Sequence, residues 1–536
     1  MSAMDDVLNP PGGAEAHPEP VAQAEPVEGT LHTLLIPFGA GMAVNLLSLG
    51  IASPYAMMAI GLLIALVAMF VWADRPYSWV VFVAVSAGNP ANYGTPISLN
   101  LYSASLFFVL TRGGGWKSLP KMVKLALFFV LLSMVVSVLA SLSADLAVPS
   151  IHTTDVSRPR PWMVTWSGGA TLETMSSQLV SITNYLLGPF LFIPLIFSRI
   201  KGDHSPELLV KGLLFALILP TVFLFMVSRS FGQPIMDATS VTEGMLNVTA
   251  FRLGKIDVQM LRTQVGIPLA ALICASFALA VSPLPRWTRL VATGCLVTAG
   301  YILLVTGSVG STLASLAGIT VILSLSLRHF SIKRYVVLLV VGGGLALTTL
   351  AILPQNIQRY ATSRYELRVG KNSSSTADRA WRWKKAFNYL TENPSGVGWS
   401  IYVEPLGTYP HNDYLTYGIA FGMVCGLVYL LYPSSMLFSF FTFAFFHRKP
   451  MNASRLALAL AGAGVSTAIF INSMSDHLTA NRWYFNLAWS LIWYCYFASR
   501  ASSDPLDIKA MLSRELPFAW KERAAHAEPG HRRHRL

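Results

Sequence analysis

Long apolar runs, broken by short polar loops, dominate this chain. Stretches of about 18 or more predominantly apolar residues recur from Leu31 onward, the length an α-helix needs to cross a hydrocarbon core. The pattern predicts spans at Leu31–Ile51, Pro54–Ala73, Ser78–Ser86, Ile97–Thr111, Lys124–Ala144, Thr174–Ser198, Leu208–Val227, Val265–Ser282, Arg289–Gly307, Ser311–Leu327, Tyr335–Leu353, His411–Phe446, Arg455–Met474 and Asn481–Ser499. Ser78–Ser86 is too short to span alone and reads as a re-entrant or broken helix. His411–Phe446 is long enough to begin in the outer interface and then cross. The predicted fold class is an all-α polytopic membrane protein of about 12–14 transmembrane helices with one large helical loop. Residues 1–30 read as a disordered tail, 31–353 as the first part of the membrane domain, 354–410 as the large loop, 411–500 as the last helices and 501–536 as a basic tail.

Composition agrees with this pattern. Only 12% of the residues are charged, against about 25% in soluble domains. The formal net charge of +13 would suggest a nucleic-acid partner in a soluble protein; here the placement of the charges argues against one. Arg112, Lys117 and Lys121, then Arg199 and Lys201, Arg286 and Arg289, Arg328 to Arg334, and Arg448 to Arg455 fall in alternate loops, and the tail adds more. Excess Lys and Arg marks the cytoplasmic side, so both termini are expected there, with the tail residues His531 and His534 against anionic lipid. No cleavable signal peptide is expected. Cys274, Cys295, Cys425 and Cys495 all lie within apolar runs and read as small core residues, not as disulfides or metal ligands.

Three longer loops then face outward: Asp145–Glu173, Arg229–Gln264 and Pro354–Pro410. In the third, Asn356–Arg368 and Thr376–Leu390 look helical, the second with a cap at Thr376 or Asp378, and Asn393–Gly398 is a Pro/Gly turn. This loop breaks the charge rule, with Arg379, Arg382, Lys384 and Lys385 among its cations; Arg252, Lys255 and Arg262 lie in the second outer loop. Guanidinium forks suit phosphate oxygens, so the cluster suggests an anionic ligand such as a lipid phosphate. The competing reading is that long loops translocate whatever their charge, with each arginine solvated or paired.

His411 is the sharpest signal. It follows Pro410 and precedes Asn412-Asp413-Tyr414-Leu415 at the outer start of an apolar run, where an imidazole can accept a proton. The alternative is that His411 and Asn412 merely cap the helix. Asn412, Tyr414 and Trp383 are candidate lining residues. Trp381, Trp383 and Trp399 suit either stacking on sugars or anchoring in the headgroup belt. Asp476, His477, Asn481 and Arg482 sit at the outer edge and read mainly as interfacial, and His152, Arg158 and Arg160 as structural.

Three segments in order, Arg379-Ala-Trp-Arg-Trp383-Lys-Lys-Ala-Phe, Asn393-Pro-Ser-Gly-Val-Gly-Trp399 and Pro410-His411-Asn-Asp-Tyr-Leu415, resemble the signature of the O-antigen ligase/polymerase superfamily of bacterial inner-membrane glycosyltransferases. The family's ligase motif is His, then Asn, Ser or Gln, nine residues, Gly, two residues, and Gly, Thr or Tyr. Here Gly422 follows His411-Asn412 after nine residues, but the last position is Cys425, with Gly426 next. A Ser-Arg pair frequent in the family is also missing, the region reading Gly307-Ser308-Val309-Gly310-Ser311.

The resemblance implies transfer of a glycan from an undecaprenyl-pyrophosphate donor on the periplasmic side, with no metal and no cofactor. It implies that Arg379 and an arginine of an earlier outer loop, Arg252 or else Arg262, hold the pyrophosphate, with Arg382 beside them, and that His411 activates the acceptor hydroxyl. The expected acceptor is another lipid-linked repeat unit (an O-antigen or exopolysaccharide polymerase), with lipid A–core or a protein hydroxyl as alternatives. Membrane lipids and polysaccharide export or chain-length proteins are the other expected partners. From a different class, a glycan transporter or flippase would need charge at mid-membrane, which the spans nearly lack.

Overall fold

The computed structural model describes residues 119–144, 183–198, 205–230, 249–253, 256–260, 262–306, 308–330, 374–396, 410–446, 451–475 and 482–501, with a few isolated positions besides. The expected spans at Leu31–Ile51, Pro54–Ala73, Ser78–Ser86, Ile97–Thr111 and Tyr335–Leu353, the expected helix Asn356–Arg368 and the two tails lie outside the described residues. The described residues form α1 (Lys121–Ala144), a π-helical stretch (Thr183–Phe192) running into α2 (Ile193–Phe197), α3 (Pro206–Ser230), β1 (Thr249–Leu253), β2 (Ile256–Met260), α4 (Arg262–Val281), α5 (Arg286–Thr306), α6 (Val309–Ser326), α7 (Ser374–Glu392), α8 (Asp413–Phe421), α9 (Met423–Phe446), α10 (Ala453–Ser475) and α11 (Arg482–Arg500). Every expected span that falls on described residues is largely helical there, His411–Phe446 as two helices. Four of these helices, α5, α6, α9 and α10, are long and apolar enough to cross a membrane. The protein is an all-α integral membrane protein.

Helix α10 is the axis of the bundle. Its membrane-length window is 89% buried inside the protein, against 28% for α5, and it packs against α4, α6, α9 and α11. The cause is its sequence. Lipid offers helices no hydrophobic drive to associate, so close packing through small residues must supply it, and the run Leu456-Ala-Leu-Ala-Leu-Ala-Gly462-Ala-Gly464 provides two smooth faces. A Cβ on Gly462 would lie 2.2 Å from the Phe440 ring of α9, and one on Gly464 would lie 2.5 Å from Ile322 of α6. Across the seam, a Cβ on Gly318 would meet Cys274 Sγ at 2.3 Å and the Gly464 carbonyl at 2.9 Å. Cys274 is thus one of the small core residues the sequence suggested; all four cysteines are free and buried. Because a backbone atom closes this site, Gly318→Ala is expected to destabilise the protein by about 1–3 kcal/mol. A thermal unfolding midpoint in detergent that does not fall would contradict this crossing.

One end of the bundle gathers the described arginines of the expected cytoplasmic loops, and several of them close helix ends. Arg328, just past α6, donates to the Phe445 carbonyl, and its guanidinium sits 5.0 Å from the Phe445 ring. The ring nitrogen Nε2 of His329 lies 2.8 Å from the Ala444 carbonyl. Arg455 donates to the Ala501 carbonyl at 2.9 Å. Arg500 instead reaches into the middle of α9, donating to the Ser439 carbonyl at 2.7 Å against the rings of Phe443 and Tyr496. The last carbonyls of a helix lack partners within it and carry the negative end of its dipole, so cations there are stabilising.

The opposite end carries α7, the starts of α4, α6 and α8, and the end of α10. Here the second outer loop holds a small antiparallel hairpin in place of the irregular loop expected. Its register pairs Phe251 with Val258 and Leu253 with Ile256 on one face, and Arg252 with Asp257 on the other. That alternation, around the two-residue connection Gly254-Lys255, is a hairpin signal.

Candidate active site

Helix α7 is amphipathic, and its periodicity sets which residues face the membrane body. Ala386 and Leu390 are buried, while Arg379, Arg382, Trp383 and Tyr389 are half-buried. Steps of three and four residues put these on one helical face. Trp381, Lys384, Phe387 and Asn388 are exposed on the other. The helix begins at Ser374, so the expected cap at Thr376 or Asp378 is corrected: both residues lie inside the first turns. Lys385 is tied into the structure, donating to the Leu406 carbonyl at 2.8 Å with its ammonium 5.5 Å from the Trp381 ring. Burial, helped by the neighbouring Glu392, holds the Tyr389 phenol above its usual range, so it stays a neutral hydroxyl.

The end of α7 is locked onto the start of the next helical pair. Asn393 Nδ2 donates to the Tyr389 carbonyl at 3.1 Å, closing α7, and the chain turns at Pro394-Ser395-Gly396. The expected single segment His411–Phe446 is in fact two helices, broken at Gly422, which adopts φ 97° and ψ 155°. The Met423 amide donates to the Pro394 carbonyl at 2.9 Å across this break. Gly396, at φ 82°, sits so close that a Cβ there would lie 2.4 Å from the Gly422 nitrogen. Leu390 packs where Gly418 has no side chain, at 2.8 Å from a notional Cβ, and a Cβ on Gly426 would lie 2.8 Å from the Tyr414 carbonyl. Gly422, the motif glycine, and Gly426 beside the last motif position are therefore both required by backbone contact.

This packing orients α7 relative to His411. Leu390 meets Gly418, and a few residues later Pro394–Gly396 meet Ala420–Met423. The end of α7 therefore packs along α8, in order of sequence on both.

His411 itself lies just before α8 in the left-handed backbone region, with φ 52°, the one described non-glycine residue at positive φ. Asn412 is the N-cap: its side-chain oxygen accepts from the Leu415 amide at 3.2 Å, as the capping alternative expected. Asp413 follows with no solvent exposure at all. Tyr414 donates to the Phe470 carbonyl of α10 at 2.9 Å. Tyr429 of α9 lies 5.5 Å from the Tyr414 ring and 4.1 Å from Tyr417, stacked, with its hydroxyl 3.3 Å from Ser473. His411 thus stands above a buried polar layer.

The structure brings Arg379, Arg382 and Trp383 together on one face of α7, and His411, Asn412 and Tyr414 together at the head of α8. Arg252 lies in β1 and Arg262 opens α4, both at this same end of the bundle; their side chains lie outside the described ones. So do those of Trp399, Asp476, His477, Asn481 and Arg482, and residues His152, Arg158, Arg160, His531 and His534 as a whole. Reading the sequence missed Asp413, Tyr429 and Asn472. For Asp413 a signal existed, a carboxylate directly after the His-Asn pair at the mouth of an apolar run, where ionisable groups are costly.

No curated protein matches the chain. A family model described as O-antigen ligase matches residues 294–430, a stretch that takes in α6, α7, the Gly396–Gly422 junction and His411. That stretch of the chain is similar to the O-antigen ligase family, whose members are membrane glycosyltransferases.

Proposed function

We propose that this protein transfers a glycan from undecaprenyl pyrophosphate to a second glycan at the periplasmic face of the bacterial inner membrane. The observation that supports the reading is the packing of α7, which carries Arg379 and Arg382, against α8, which follows His411. In the reaction, the acceptor hydroxyl oxygen attacks the anomeric carbon of the donor as its proton passes to His411. The bond from that carbon to the pyrophosphate oxygen breaks, and the carrier pyrophosphate leaves with the bonding pair. A sugar hydroxyl is a poor nucleophile unless its proton is taken as it attacks. The charge growing on the leaving pyrophosphate is met by Arg379 and Arg382 from α7 and by Arg252 or Arg262 from the segment before and at the start of α4. Preformed cationic donors aimed at developing charge stabilise the transition state without reorganising, so the chemistry proceeds without a metal. Trp383, Asn412 and Tyr414 line this region.

The acceptor favoured is another lipid-linked repeat unit, which makes the protein a polymerase for O-antigen or exopolysaccharide, because Cys425 stands where the ligase motif ends. A ligase acting on lipid A–core is the second reading, supported by the description of the matching family model. In proteoliposomes supplied with undecaprenyl-pyrophosphate-linked glycan, carrier pyrophosphate should appear as glycans join. Arg379→Ala should slow that release by about 10²-fold or more, and Arg379→Lys should recover only part of it, since lysine lacks the fork. Movement of the lipid-linked glycan across the bilayer with no joining would instead establish a flippase. Loss of long surface chains in a deletion strain that still attaches single units would establish the polymerase; accumulation of unattached long chains would establish the ligase.

A further inference from the structure

On the glycan-transfer reading, we infer that the last turn of α10 forms a binding site for a hydroxyl of the acceptor sugar, with Asn472 accepting its hydrogen bond. Asn472 is 2% exposed, and its Nδ2 donates to the Ile267 carbonyl of α4 at 3.3 Å. A carbonyl can only accept, so that bond fixes the amide orientation. The Oδ1 atom then faces away, buried and with no donor among the described residues. Such an acceptor is costly to leave unmet, and it calls for an O–H or N–H from outside.

The surroundings select the class of ligand. Gly266 beside Ile267 approaches Ser308 so closely that a Cβ would lie 2.5 Å from Ser308 Cβ, and Ser308 donates to Ser311 at 3.0 Å. Gly310 likewise abuts Ser475 Oγ, at 2.7 Å from a notional Cβ, and Ser475 donates back to the Asn472 carbonyl at 3.4 Å. The ends of α4, α6 and α10 thus close a ring of hydroxyl and amide groups around Asn472, with no charged side chain in that ring among the described residues. An amide oxygen repels phosphate and accepts from a neutral hydroxyl, so the site suits a sugar and not the donor pyrophosphate.

Its position fits the reaction. On one side Ser473 and Phe470 receive Tyr429 and Tyr414, the latter three residues from His411. On the other, Gly266 lies one helical turn after Arg262. A sugar held at Asn472 sits between the elements bearing the proposed base and the proposed pyrophosphate clamp, and Ser475, half-buried, marks its open side. Asn472 acts by positioning; the proton still goes to His411.

The test uses the full-length protein in liposomes with undecaprenyl-pyrophosphate-linked glycan, measuring joined glycan against glycan released by hydrolysis. Misplacing the acceptor hydroxyl lets water compete. Asn472→Ala and Asn472→Ser, which withdraw the acceptor oxygen, should lower the ratio of joined to hydrolysed glycan by about tenfold, the worth of one buried hydrogen bond. Asn472→Asp, which keeps an acceptor oxygen, should restore most of it. A purely structural residue would lower both products together and leave the ratio unmoved. An unmoved ratio in the alanine and serine variants, meaning a site occupied by water only, overturns the inference, as does failure of all three variants to fold. If the unaltered protein releases no carrier pyrophosphate, the glycan-transfer reading itself fails instead.

Discussion

Exchanging His411 for glycine is expected to abolish glycan transfer without lowering the stability of the protein. The expectation rests on two separate consequences of one position. A non-glycine residue in the left-handed region costs about 1–2 kcal/mol, and His411 sits there at φ 52°. Glycine enters that region freely but loses about 0.5–1 kcal/mol in chain entropy, so the exchange should leave stability level or slightly raised. Removing a general base costs about 10²- to 10⁴-fold in rate. His411→Asn is the matching control, because asparagine also tolerates positive φ yet cannot take the proton at neutral pH. Thermal unfolding and carrier-pyrophosphate release, followed on the same preparations, decide the matter. If both variants melt early and lose activity in proportion, His411 is only a helix-entry residue. If either transfers glycan at the normal rate, the base lies elsewhere. Strain of this kind persists where the surrounding structure over-determines it, often at functional sites.

The second large effect is structural. Gly422→Ala and Gly396→Ala are each expected to cost about 3 kcal/mol or more. At φ 97° and ψ 155°, Gly422 occupies a region open essentially to glycine alone, worth about 1–3 kcal/mol in strain. A Cβ there would also lie 3.0 Å from the Ser395 carbonyl and 3.2 Å from that of Pro394. Gly396 is tighter still, since its Cβ would press on the Gly422 nitrogen and threaten the Met423-to-Pro394 hydrogen bond. No rotamer can relieve a clash between backbones. The double variant should cost less than the sum of the two, because both changes break the same contact. Glycan transfer should fall as well, with every proposed site residue still present, since α7 would lose its alignment with α8. A full-strength unfolding transition in either variant would mean that the junction carries no strain worth the name.

Much of the bundle is legible in the sequence because membrane helices announce themselves by length and apolarity. Spans such as Leu208–Val227 and Arg455–Met474 meet α3 and α10 to within about one turn. The break at Gly422 was hidden for the same reason: hydrophobicity runs through it unchanged, and only a contact with Pro394 and Gly396, distant in sequence, demands it. The hairpin Thr249–Met260 escaped because its alternation is short and sits in a loop read for its charges. Of the candidate site, His411, Arg379 and Arg382 were legible through motif and charge. Asn472 was not, because a single amide in an alanine-rich helix carries no local mark; its meaning comes from Ile267, some two hundred residues away in the chain.

The arginines at the far end of the bundle bear on how the orientation of this chain can be mapped. A series of reporter fusions, each cutting the protein after one more helix, would release every fragment ending near Phe446 without Arg455 or Arg500. Arg500 bonds the Ser439 carbonyl and hydroxyl of α9 and lies against the rings of Phe440 and Phe443, so such a fragment presents α9 with those rings uncovered and that hydroxyl without its cation. Its reporter would register a helix deprived of its clasp as much as the side of the membrane it reached. Inserting the reporter into the intact chain, or labelling single introduced cysteines there, keeps the clasp closed while the side is read.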